Sequence, residues 1–194
     1  MKQMKWMPFI LLLLLLLSAC SFSKDKDNSV LLYGNEADAD AATDPYQSKL
    51  QSQSLYHVKE TSLDGLKIIV INKTTSLQIM DQKLFHKEND PDTSATLPKL
   101  EQLDDKHSIL LSPSKYKQPV SAHFRMTDII YGGNIMVGTD NYFSDAILIV
   151  EDSMYDAAEG KEKSLSFMKF HKMKDAKKAY QDIKGIMKKK MSVD

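Results

Sequence analysis

The sequence predicts an α+β domain: an antiparallel curved sheet or small barrel of about six to eight short strands, closed by a C-terminal amphipathic helix. Three observations predict it. Short runs rich in β-branched and apolar residues recur between turn signals through the middle of the chain, as at Leu66–Ile71 and Ala146–Val150. Helical spacing takes over near the end, where Ala176, Ala179, Tyr180, Ile183, Ile186, Met187 and Met191 fall on one stripe with lysines opposite. Strands and long helices do not alternate, and no segment repeats, so a parallel nucleotide-binding sheet is set aside.

The chain opens with Lys2 and Lys5, an apolar run from Phe9 to Leu17, and small residues at Ser18 and Ala19. This is the layout of a secretory signal peptide over residues 1–19. The apolar stretch from Met7 to Ala19 is short of the roughly 20 residues that a spanning helix needs, and it breaks into Ser23-Lys24-Asp25-Lys26-Asp27. Leu17-Ser18-Ala19-Cys20 closely resembles the lipobox of bacterial lipoproteins. The resemblance covers the first twenty residues and implies diacylglycerol on the Cys20 thiol, with cleavage after Ala19. Cys20 is also the only cysteine, so neither an internal disulfide nor a cysteine metal cluster is expected.

Residues 20–54 are polar and weakly patterned. Their centre, Glu36–Pro45, has no apolar face at either period, which predicts a flexible tether with a reach of roughly 30 Å. Val30–Tyr33 interrupts it and reads as a strand joining the domain, with a docking segment as the other reading. The domain proper is expected over residues 55–194. Leu66–Ile71 follows the turn Asp64-Gly65 and predicts a strand. Ser76–Met80 and Ser108–Leu111 read as further strands, with a loop at Asn89–Asp92 and one or two helical turns within Pro98–His107. Val120–Thr127 alternates strictly and predicts a half-buried strand. Gly132-Gly133 permits a bend before Ile135–Val137, and Thr139–Asn141 turns the chain toward Ala146–Val150. Glu159-Gly160-Lys161 reads as a hairpin tip leading into Leu165–Phe170, and the helix follows.

Charge is balanced overall, with 26 basic and 26 acidic residues, which exerts no global pull toward nucleic acid; no nucleic-acid partner is expected. It is unevenly spread. Residues 161–190 hold eleven lysines against three acids, whereas residues 20–60 hold four lysines against seven acids. The basic helix fits either an anionic surface or an ordinary solvated face.

Local catalytic signatures are missing: no Gly-x-Ser-x-Gly elbow, phosphate-cradling glycine loop or His-Glu-x-x-His pair occurs. No cofactor and no metal are expected. One surface stands out. Ser121, His123, Arg125 and Thr127 share one side of the predicted strand, and Arg125 is the only arginine. On a concave sheet they could orient an anionic ligand; the same pattern also fits a solvated strand face. The expectation is thus a non-enzymatic protein, anchored to the extracytoplasmic face of the cell membrane by lipid on Cys20, that binds a peptide, small ligand or envelope protein. An envelope hydrolase with a non-local active site is one alternative. A structural spacer touching membrane or wall through the basic helix is another.

Overall fold

The computed structural model describes residues 28–90, 93–96, 107–118, 120, 129–138 and 143–191. The α+β expectation holds. Among the described residues ten strands form two sheets, joined by four α-helices. The strands are β1 (Ser29–Gly34), β2 (Leu50–Leu63), β3 (Leu66–Asn72), β4 (Phe85–Asp90), β5 (Thr93–Thr96), β6 (Ser108–Leu111), β7 (Ile129–Gly133), β8 (Ile135–Val137), β9 (Ala146–Val150) and β10 (Lys161–Phe170). The helices are α1 (Glu36–Thr43), α2 (Lys73–Asp81), α3 (Asp152–Ala157) and α4 (Met173–Met191).

The main sheet is open, ordered β1-β10-β2-β3-β9-β6-β7, and a second sheet is ordered β5-β4-β8. Of the two architectures expected, the curved sheet is the one found. Pairing is not antiparallel throughout, however: β3 runs parallel to β9, and β6 parallel to β7.

The centre follows directly from composition. Every residue of β6 and β9 is buried, because both faces of the sheet are covered and the strands can be apolar without alternation. On one face Ile69, Ile71, Ile109, Ile147 and Ile149 pack with Ile79 of α2 and with Phe85, Ile135 and Val137 of the second sheet. On the other, Ile68, Val70, Leu110 and Leu148 pack with Tyr155 of α3. A third cluster joins Val30, Met168 and Phe170 to Ala176, Ala179 and Ile183, seating α4 on the β1–β10 flank.

Two turns depend on glycine. Asp64 (φ 48°) and Gly65 (φ 83°) close the β2–β3 hairpin in the left-handed region, as the Asp-Gly pair predicts. At Gly132 an added Cβ would lie 2.6 Å from Leu111 Cδ2 and 2.9 Å from Ile109 Cγ2, so a side chain there would force these two buried side chains of the β6–β7 seam to shift. The Gly132-Gly133 bend expected from sequence is the point where the chain leaves one sheet and, after Asn134, enters the other.

Several expectations are corrected. The tether expected over residues 20–54 gives way to ordered elements from Ser29 onward: β1, α1, a 3-10 segment at Asp44–Lys49 and the start of β2. The strand reading of Val30–Tyr33 is the one found, since β1 is bonded to β10. Ser76–Met80, expected as a strand, lies in α2, because the Asn72 side chain accepts from Thr75 N at 2.7 Å and caps a helix start. Glu159-Gly160-Lys161 is not a hairpin tip; it links α3 to β10. β4 runs through Asn89 and Asp90, expected in a loop, while Pro91 and Asp92 lie outside the described residues. Val120 is buried and helical rather than the start of a strand. The rest of that predicted strand, the helical turns at 98–106 and the turn at 139–141 lie outside the described residues.

Candidate functional site

Cys20 and the face formed by Ser121, His123, Arg125 and Thr127 lie outside the described residues. The remaining histidines are scattered: His57 is exposed on β2 with Nδ1 4.0 Å from Glu36, His86 is buried on β4, His107 is half-buried just before β6, and His171 is exposed after β10. Among the described residues no three His, Cys, Asp or Glu side chains gather as metal ligands would. No helix of the described residues is long and apolar enough to cross a membrane. The shallow hollow between Leu111, Ser112, Ile135, Ser144 and Asp145 has no enclosed room even for a water molecule.

Polar groups gather in three places that the sequence does not mark. The first is the carboxyl end of the parallel pair β3–β9. Here α2 leaves toward one face of the sheet and α3 toward the other, the arrangement in which open sheets often hold ligands. The Asp152 carboxylate sits across this point. It accepts from Thr74 N at 3.2 Å and Thr74 Oγ1 at 2.6 Å, while Lys73 approaches Glu151 at 4.0 Å. The hydrogen bonds from the Thr74 hydroxyl, then from its backbone, hold the Asp152 carboxyl below the usual carboxylate range. The protein's own carboxylate thus fills the positive end of α2, latching two helices that begin 78 or so residues apart in sequence.

The second is Lys59, nearly buried on β2. Its Nζ donates to the carbonyls of Tyr155 (2.8 Å), Asp156 (3.2 Å) and Ala158 (3.0 Å), and lies 4.9 Å from the Tyr155 ring centroid. A cation there answers the free carbonyls and negative end of α3. Burial, and after it the charges of Glu162 and Asp156, pushes the Tyr155 phenol up to about 12. No sequence signal could have paired Lys59 with carbonyls 96 or more residues away.

The third is Tyr33, whose hydroxyl donates to Glu60 two strands across the sheet. Its ring stacks on Phe143 at 5.3 Å, and Lys67 approaches Glu60 at 3.8 Å. Burial, reinforced by the Glu60 hydrogen bond, raises the Tyr33 phenol well above its ordinary value. These three assemblies hold strands and helices together; the Tyr33 hydroxyl, the Lys59 ammonium and the Asp152 carboxylate each have a partner within the fold, whereas the buried Tyr155 hydroxyl has none among the described residues.

The entry point of the chain has a definite place. Asn28 O accepts from Phe170 N at 2.7 Å, and Lys49 O accepts from His171 N at 3.1 Å. The start of β1, the end of β10 and the start of α4 therefore meet at one corner.

Comparison with known proteins adds two findings. A family model described as an uncharacterised lipoprotein family matches residues 27–193. A 1.5 Å crystal structure of a Bacillus anthracis protein described as a lipoprotein has a TM-score of 0.69 at 20% identity, covering 81% of this chain and 91% of that one; this likeness shows the fold. No curated protein matches the chain.

Proposed function

The chain belongs to this lipoprotein family, and from that premise we propose that it is lipid-anchored through Cys20 on the extracytoplasmic face of a bacterial membrane. Its domain binds an envelope protein, peptide or small ligand rather than carrying out a reaction. The observation that carries the anchor is the order of features before the fold: positive charge, a short apolar run, then Leu17-Ser18-Ala19-Cys20. Two or three acyl chains on one residue hold a protein durably, where a single chain binds only reversibly. What supports a binding role is the use to which these polar groups are put, since Tyr33, Lys59 and Asp152 all serve to join elements of the fold. Ser121, His123, Arg125 and Thr127 stay the first residues to test for an anionic ligand.

The test has two arms. Radiolabelled palmitate should enter the wild-type protein and not Cys20→Ser, which should leave the membrane fraction or stay uncut; unchanged size and membrane association in that variant would sink the anchor. Crosslinking on intact cells should then capture one envelope protein in stoichiometric amount. Failure to capture any protein, with a deep cleft holding a carboxylate or serine beside His123, would favour the hydrolase reading instead.

A further inference from the structure

We propose that the corner where β1 begins, β10 ends and α4 begins is a membrane-facing surface that contacts anionic lipid headgroups. The inference rests on the Cys20 anchor proposed above and adds an orientation to it. Seven residues, Ser21–Asp27, separate Cys20 from Asn28. Even fully extended, that interval spans at most about 28 Å, and as a coil its r.m.s. reach is nearer 16 Å. Because the described fold already includes Asn28 and the strand that follows it, the domain is held close to the bilayer by its Asn28 corner.

What lies at that corner is positive. Lys169 is paired across the sheet with Ser29, the first residue of β1. Phe170 N donates to Asn28 O, and α4 starts three residues later. Lys169, Lys172, Lys174 and Lys177 are all exposed and form no ion pair among the described residues. The one acid in this segment, Asp175, already faces Lys49 at 3.8 Å, so it does not offset the other four.

Beyond the other end of β1 acidic side chains gather, beside Lys161 and Lys163 at the start of β10. There the chain turns into α1, where Glu36, Asp38 and Asp40 are exposed. A domain tethered at the positive corner, with acidic side chains beyond the other end of the same strand, would meet an anionic surface in one orientation. Lysines suit this contact, because each acts as a mobile point charge near many headgroups rather than as a fork for one phosphate. α4 is itself seated on the sheet through Ala176, Ala179 and Ile183. It therefore offers the membrane its charged side and does not insert.

The experiment uses the full lipidated protein purified from membranes and placed on two kinds of vesicle, phosphatidylcholine alone and phosphatidylcholine with phosphatidylglycerol. Flotation with the neutral vesicles reports the anchor. Amine-reactive labelling, read residue by residue by mass spectrometry, reports the surface. On the anionic vesicles, labelling of Lys169, Lys172, Lys174 and Lys177 should fall several-fold relative to the neutral ones, and high salt should restore it. Lys161, at the opposite end of β10, and Lys83 should be unchanged. Equal labelling of the four on both vesicles, with flotation intact, overturns this surface and leaves the anchor standing. An equal drop at Lys83 and Lys161 also overturns it, since that is adsorption without orientation. Loss of flotation on neutral vesicles overturns the anchor and this inference together.

Discussion

At the centre of the sheet, β3, β9 and β6 bury apolar side chains on both faces, whereas the flank built from β1, β10 and β2 joins its apolar cluster with polar bonds between distant elements. Leu148, Ile149, Ile109 and Leu110 are each at most 1% exposed. On the flank, β2 begins with exposed Gln51, Ser52 and Gln53. Tyr33 reaches Glu60, and Tyr46 donates to Asp182 of α4 at 2.5 Å. The centre owes its stability to dehydrated volume, which responds little to pH. The flank adds to its apolar cluster hydrogen bonds and charges whose strength depends on pH and salt.

The largest effect should come from the centre. Leu148→Ala removes a fully buried side chain and should cost about 2–5 kcal/mol, read as a lower urea midpoint with an unchanged slope. A loss under about 1 kcal/mol would mean that the centre is not the stabilising region. Lys59→Met tests a polar fastener while keeping the aliphatic stem. It leaves the carbonyls of Tyr155, Asp156 and Ala158 without their donor and should cost about 1–3 kcal/mol. Amide exchange should accelerate in α3 and stay slow in β9; equal acceleration in both would erase the distinction. The smallest effect is expected from Asp152→Ala, and it should show mainly in acid. The folded-state pKa of Asp152 lies below its ordinary value of 3.8, so its contribution is complete above that value and is lost as pH falls through the folded pKa. Urea midpoints should therefore drop less steeply below pH 3.8 in the variant than in wild type. Parallel profiles would show that the latch contributes nothing.

The same division governs what can be read from the sequence. β6, β8 and β9 fall where their apolar runs place them, and α4 buries Ala176, Ala179 and Ile183 of its expected stripe while Tyr180 is 45% exposed, because burial of apolar side chains leaves a one-dimensional trace. α1 leaves almost none. Its buried positions are Ala39 and Thr43, one turn apart but too small to read as an apolar face, so Glu36–Thr43 resembles a tether. Asn35 before an acid-rich, alanine-rich run was the available signal. α2 was misread through Leu77, Ile79 and Met80, although Asn72 stood ready as a cap. The direction of pairing left no trace: that β3 meets β9 in parallel depends on what crosses between them, not on either strand's residues. The face of Ser121, His123, Arg125 and Thr127 was legible as a pattern, and it lies outside the described residues.

The placement of β10 sets a condition on how the chain can be assembled. This strand, near the end of the sequence, is bonded on one side to β1 and on the other to β2. The first two strands to be made therefore wait, with open edges, for nearly the last. Such distant pairing is slow because a long loop must close before any contact rewards it, and open edges meanwhile invite wrong partners. Vectorial synthesis gives this domain no stable N-terminal fragment on the flank side. A chain stopped before Lys161 would expose two strands that have never met their neighbour, and a quality-control protease would find it there.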